Sequence, residues 1–211
     1  RTFTGHTGWI SSTAISPDGK YALSGSNDTT VKLWEISTGR EIRTFTGHTE
    51  SVKSIAISPD GKHALSSDSN ALKLWEIATG KEIRTFEGAR FIYAVAFSPD
   101  GRHVLSGGIG ETLKLWDIST GDKIKTLEGH TKFVSSATFS PDGKYILSGG
   151  DDLILWEIAT GKKIRKFEDS KYNIHAIFSP DGRYALSSKS EKFFLWDVET
   201  GKKIRTFEGH F

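Results

Sequence analysis

The chain contains no cysteine, methionine or glutamine, and its 211 residues include only three asparagines, Asn27, Asn70 and Asn173. Without cysteine there are no disulfides, no thiolate metal sites and no cysteine nucleophile. An excess of charge of one sign is also missing: 28 Lys and Arg stand against 26 Asp and Glu, a formal net charge of +2. That balance gives no electrostatic attraction to nucleic acid or to an anionic membrane, so neither is expected as a partner. No apolar run approaches the ~18–20 residues that a membrane-spanning helix needs. No charged-then-apolar N-terminal stretch reads as a secretory signal, and the cytoplasm is the expected compartment. Position 1 is Arg rather than Met, which predicts a fragment or a processed chain. Depletion of thermally labile residues suits a thermophilic source, and equally a consensus-like or designed array. What is present, 36% hydrophobic and 26% charged residues, is the composition of an ordinary globular protein.

The ordering principle is repetition. Ser-Pro-Asp-Gly begins at Ser16, Ser58, Ser98, Ser140 and Ser179, spaced 42, 40, 42 and 39 residues. Leu-Trp followed by Glu or Asp places Trp34, Trp75, Trp116, Trp156 and Trp196 at spacings of 41, 41, 40 and 40. Thr-Gly closes each unit at Gly39, Gly80, Gly121, Gly161 and Gly201. Three anchors in one fixed order define five units, approximately 4–46, 47–87, 88–128, 129–168 and 169–210, within one domain spanning 1–211.

In the first unit, short β-type runs cover Ile10 to Ser16, Tyr21 to Ser26, Thr30 to Ile36 and Glu41 to Phe45. Ser16-Pro17-Asp18-Gly19 is a turn, with Pro presetting φ and Gly accepting left-handed geometry. Runs this short are not useful amphipathic helices, and no helix is expected. A four-stranded sheet that is apolar on both faces cannot stand alone. Stacking such units face to face covers them, and native twist bends the stack into a ring.

The pattern GHT…SPDGKYALSGSNDTTVKLWEISTG resembles the WD-repeat (Trp-Asp repeat) family over essentially the whole chain, and its wording looks most like the bacterial members. The resemblance implies an all-β propeller of four-stranded antiparallel blades, either closed at five or part of a larger ring. The fourth-strand sequence occurs six times, counting Arg1-Thr2-Phe3, while the other strands occur five times. One copy is therefore surplus. The longer C-terminal copy is expected to win in its own blade, because its tight turn costs little loop entropy.

His6, Ser24, Asp28 and Trp34 invite a Ser-His-Asp catalytic reading. The resemblance implies instead a buried hydrogen-bond chain that ties strands together, with Ser26 a rival for the Ser slot. Unit two offers His48, Ser66 and Trp75 with Asp68 or Asn70; unit four offers His130, Ser148 and Trp156 with Asp151 or Asp152. Unit three has Ala89 and Gly110 in place of the His and Asp, and unit five has Ser170 with Ser190 or Glu191. A set that recurs by repeat is a property of the fold, whereas a catalytic triad occurs once beside an oxyanion hole. His63 and His103 stand where other units have Tyr, and no metal-binding or phosphate-binding motif is present. No enzyme activity, cofactor or metal is expected.

Strand alternation puts the SPDG and TG turns at one end of the blades and the variable loops at the other. On the variable rim, the slot before the first strand holds Trp9, Ser51, Phe91, Phe133 and Tyr172, with Arg90, Lys132 and Lys171 beside the last three aromatics. Aromatics beside cations suit capture of a protein or peptide; packing of the rings on neighbouring blades is the plainer alternative. Outer-edge cations, such as Lys81, Arg84, Lys162, Lys163, Arg165, Lys166, Lys202, Lys203 and Arg205, are expected to keep sheets from pairing edge to edge. The expected function is a non-enzymatic scaffold or regulatory interaction module. The alternative is a structural, oligomerising or designed array without a dedicated ligand, self-associating through its outer strands.

Overall fold

A computed structural model describes residues 2–89, 91–167, 175–189 and 191–209, and among these it contains twenty strands and no helix. The first sheet is β1 (Ile10–Ile15), β2 (Tyr21–Ser26), β3 (Val31–Glu35) and β4 (Glu41–Phe45). The second is β5 (Ser54–Ile57), β6 (His63–Ser67), β7 (Leu72–Glu76) and β8 (Glu82–Phe86). The third is β9 (Ile92–Phe97), β10 (His103–Gly108), β11 (Thr112–Asp117) and β12 (Lys123–Glu128). The fourth is β13 (Ser136–Phe139), β14 (Tyr145–Gly149), β15 (Leu153–Glu157) and β16 (Lys163–Phe167). The fifth is β17 (His175–Phe178), β18 (Tyr184–Lys189), β19 (Lys192–Asp197) and β20 (Lys203–Glu208). Strands follow chain order within each sheet, and the pairs are antiparallel.

The turns form for local reasons. Ser16 Oγ donates to Asp18 Oδ1 at 2.6 Å and accepts the Tyr21 N–H at 2.9 Å, while Gly19 sits at φ 70°. The Ser-Asp bond recurs at Ser58–Asp60, Ser98–Asp100, Ser140–Asp142 and Ser179–Asp181. In every sheet the register slips at the tryptophan, where the third strand meets the fourth. This is a β-bulge, which bends the outer strand and adds twist.

Sheets pack face to face in one sense throughout. Leu23, Val31, Leu33 and Phe45 of the first sheet cover Val52, Ile55, Ala64 and Trp75 of the second. The same leucine-rich face meets the same tryptophan face at the next three junctions. Phe45 lies edge-on to Trp75 at 5.9 Å, as Phe86 does to Trp116 at 5.7 Å and Phe167 to Trp196 at 5.5 Å. Near the axis, Ser12, Ser54 and Ser136 Oγ accept the backbone N–H groups of Ile55, Val95 and Ala176 from the following sheet, at 3.1, 3.2 and 2.9 Å.

One of the outer-edge cations, Arg84, has a further role. Arg84 donates to the Ser119 and Thr120 carbonyls at 3.0 and 2.6 Å, and so grips the β11–β12 turn of the next sheet. Arg43 does the same to Ala78 and Thr79, and Lys125 to Ile158 and Ala159. Arg84, Arg43 and Lys125 are thus clamps between sheets. The carbonyls of a tight turn have no strand partner, and a long cationic side chain from the preceding sheet satisfies them.

The innermost strands β1, β5, β9, β13 and β17 pack in succession, and among the described residues no comparable packing joins β17 to β1. β20 pairs with β19, so the C-terminal copy of the fourth strand completes the fifth sheet, as expected from its short turn. Residues 2–9 form no strand. Phe3 nonetheless lies edge-on to Trp34 at 5.7 Å, in the place that Phe45 takes over Trp75.

Candidate interaction rim and the buried histidine networks

His6 bridges Asp28 Oδ2 at 2.7 Å through Nδ1 and Ser24 Oγ at 2.8 Å through Nε2, and Trp34 Nε1–H donates to Ser24 Oγ at 2.7 Å. Ser24, not Ser26, takes the slot. Burial by itself would raise the Asp28 carboxyl, but hydrogen bonds from Thr30, Thr7 and His6 hold it well below the usual carboxylate range. In the second sheet His48 Nε2 meets Ser66 Oγ at 2.6 Å, and Trp75 donates to Ser66 at 2.7 Å. Asp68 fills the acid slot; its Oδ2 lies 3.0 Å from His48 Nδ1, a close polar contact without the alignment of a hydrogen bond. In the fourth sheet His130 joins Asp151 at 3.1 Å and Ser148 at 2.7 Å, with Trp156 donating to Ser148 at 2.7 Å. Asp152 instead pairs with Lys166 at 2.6 Å. Burial pushes the His48 and His130 imidazoles below their ordinary value, and both are neutral near pH 7.

The third sheet keeps only Trp116 donating to Ser106 at 2.9 Å, with Ala89 buried where a histidine was sought. The fifth keeps Trp196 donating to Ser187 at 2.9 Å; Ser170 and Ser190 lie outside the described residues. Across the third sheet Lys114 faces Lys123, where the first and second sheets pair Lys32 with Glu41 and Lys73 with Glu82 at 2.8 Å. Burial and then Lys123 lower the Lys114 ammonium below its ordinary value.

On the rim, Trp9, Phe91 and Phe133 are exposed, Trp9 at 85%. Lys132 is exposed beside Phe133. Arg90, Lys171 and Tyr172 lie outside the described residues. Phe91 is held at φ 51°, a left-handed conformation that costs a bulky residue energy. Its N–H donates to the Ser69 carbonyl and its carbonyl accepts from Ile109 N–H, both at 2.9 Å. The loop is therefore anchored to two sheets and holds the ring outward. The structure adds Tyr93, half exposed and edge-on to Phe133 at 6.3 Å. Its signal lay in the repeat alignment: the same column holds Ser11, Lys53 and Ser135. Inside the rim a cavity of about 680 Å³ is lined by Ser12, Ser54, Ser136, Lys53, Tyr93 and His175, among others.

Five four-stranded antiparallel sheets in chain order, each with a buried Trp bonded to a Ser, define a repeat protein of propeller type. The family model described as WD domain, G-beta repeat matches residues 1–35, 39–76, 80–117 and 121–155. The chain belongs to that family. Its members are generally non-enzymatic scaffolds that bind other proteins. Among curated relatives, the Ribosome biogenesis protein BOP1 homologs of Drosophila melanogaster and Drosophila willistoni are each 54% identical over 41 residues. That segment is 19% of this chain and 5% of each relative, about the length of one repeat. These relatives are from flies and lend no support to a bacterial likeness.

Proposed function

We propose that this protein is a non-enzymatic interaction module that captures a protein or peptide segment across the variable rim. The observation that carries this reading is the outward presentation of Trp9, Phe91 and Phe133 on one end of the sheets. Large rings held in water by anchored loops are poor for stability and well suited to interface anchoring. The buried Ser-His-Asp sets support the non-enzymatic part. Ser66 and Ser148 are fully buried, and each hydroxyl is already engaged by a Trp and a His. A nucleophile needs a free approach to substrate. The fly relatives, ribosome biogenesis proteins by name, are compatible with work inside a protein assembly.

The test is panning of a random peptide library on the immobilised protein, followed by affinity measurement with the Trp9→Ser, Phe91→Ser, Phe133→Ser triple variant. Selected peptides are expected to lose at least about tenfold in affinity, or about 1.4 kcal/mol. Unchanged affinity in a variant with an unchanged circular dichroism spectrum rejects the rim as the binding surface.

A further inference from the structure

The third sheet has lost the two acidic columns that accompany a lysine in the first and second sheets. In the first, the Asp28 carboxylate accepts from the Thr30 hydroxyl at 2.6 Å, from the Thr30 and Thr7 N–H groups at 3.0 and 2.9 Å, and from His6. Lys32 there pairs with Glu41. The second sheet repeats the set with Asp68, Lys73 and Glu82. In the third, Gly110 stands for the aspartate, Ala89 for the histidine and Lys123 for the glutamate. The donors nevertheless remain. Thr112, in the column of Thr30, makes no hydroxyl hydrogen bond among the described residues. Ser106 is 3% exposed and accepts the Trp116 indole N–H, but the imidazole that lies against the equivalent hydroxyl in the first, second and fourth sheets is gone. Lys114 Nζ donates to the Gly88 carbonyl at 2.9 Å. Glu111, beside Thr112 in the chain, and Glu128, across from it in the sheet, are exposed and form no ion pair among the described residues.

The vacated space stays open. Glu111 is left-handed at φ 64°, as Thr29 is at 70° in the first sheet. Ile109 N–H reaches the Phe91 carbonyl at 2.9 Å, as Asn27 N–H reaches that of Trp9. Beneath this loop a cavity of about 20 Å³ is lined by Ala89, Ser106, Ile109, Thr112 and Lys114, among others. That is room for roughly one or two water-sized groups. We infer that this hollow binds a carboxylate, which takes the place of the missing aspartate side chain and is held by Ser106, Thr112 and Lys114. Hydroxyl donors beside an ammonium are strong partners for a carboxylate, and a half-buried cation without a counter-charge favours an incoming anion. Burial and then Lys123 already work against the Lys114 ammonium, so an anion here relieves an existing cost. The carboxylate comes from a small free acid or from an acidic side chain of a segment captured on the rim. The second source rests on the rim reading, since Ile109 ties the hollow to the Phe91 loop.

The test is thermal melting in sodium formate against sodium chloride of equal ionic strength, for the unmodified chain and for Lys114→Gln, Lys123→Glu and Lys73→Gln. Formate at about ten times its dissociation constant is expected to raise the Tm of the unmodified chain by about 3–6 °C. Lys114→Gln removes the cation, and Lys123→Glu gives Lys114 the internal partner that Lys32 has in Glu41. Both are expected to lose the rise. Lys73→Gln, in a sheet that keeps its own acids, is expected to retain it. Lys123 is exposed on an outer strand, so its variant decides the matter if Lys114→Gln fails to fold. No rise in the unmodified chain overturns the inference, and so does an equal rise in all four proteins, which is a general salt effect. Peptides panned on the rim then separate the two sources. A loss of about tenfold or more on Lys114→Gln assigns the carboxylate to the captured segment, and unchanged affinity assigns it to a free acid. Formate reads the hollow without the rim, so failure of one proposal leaves the other standing.

Discussion

Replacing Ser66 with Ala tests whether the histidine networks hold the sheets together. The Ser66 hydroxyl is fully buried, accepts the Trp75 indole N–H at 2.7 Å and lies 2.6 Å from His48 Nε2. Alanine leaves two buried polar groups without partners and adds no new one. A stranded buried donor or acceptor costs about 1–3 kcal/mol, so the loss of two partners should cost about 2–6 kcal/mol. Ser106→Ala in the third sheet is the internal control. There the hydroxyl serves Trp116 at 2.9 Å, and no histidine stands behind it. One stranded group gives about 1–3 kcal/mol. The two variants should therefore differ by one stranded group, or about 2–12 °C in Tm, taking about 2–4 °C per kcal/mol for a chain of this size. Urea titration followed by tryptophan fluorescence, with thermal melts alongside, measures both. If Ser66→Ala costs no more than Ser106→Ala, the histidine contributes nothing through this bond and the network reasoning fails.

Acid should weaken the fold in two stages. His48 and His130 titrate below their ordinary value when folded, chiefly because burial penalises the charged ring. The unfolded chain then binds protons that the folded chain refuses, so their contribution is intact above about pH 6.5 and fades as pH falls below it. Asp28, Asp68 and Asp151 are also held low, their hydrogen bonds outweighing burial. They add a second loss below about pH 4. A urea midpoint unchanged between pH 7.5 and 5.5 contradicts the first stage. Arg84→Met should cost about 1 kcal/mol through its partly exposed clamp on Ser119 and Thr120. An Arg84→Met variant no less stable than the unmodified chain in the same urea titration removes the clamp argument.

The repeat and its turns were readable from residues alone because their physics is local. Ser16, Asp18 and Gly19 satisfy one another within a few residues, so the tetrapeptide announces the turn wherever it occurs. Strand positions followed from apolar runs between such turns, and the Trp-Ser-His columns were visible because repetition aligned them. The choice between Asp68 and Asn70, or between Asp151 and Asp152, was not readable. It depends on how a loop of altered length closes over the histidine, a matter of ångströms in space. The clamp made by Arg84 was not readable for a similar reason: its partners are 35 and 36 residues away, in the next sheet. Tyr93 went unnoticed because one aromatic on an inner strand reads as core until the strand is seen to border an open cavity.

Sequence by itself determined the five units, the four-stranded sheet within each, the direction of the turns and the residue types on each face. Those properties arise from contacts within about forty residues, and each repeat restates them. Only the tertiary structure decided how successive sheets lock together and which fourth-strand copy completes the fifth sheet. These are relations between distant segments with nearly identical sequences. Equivalent residues such as Leu72 and Phe193 become buried or exposed according to whether another sheet lies against them.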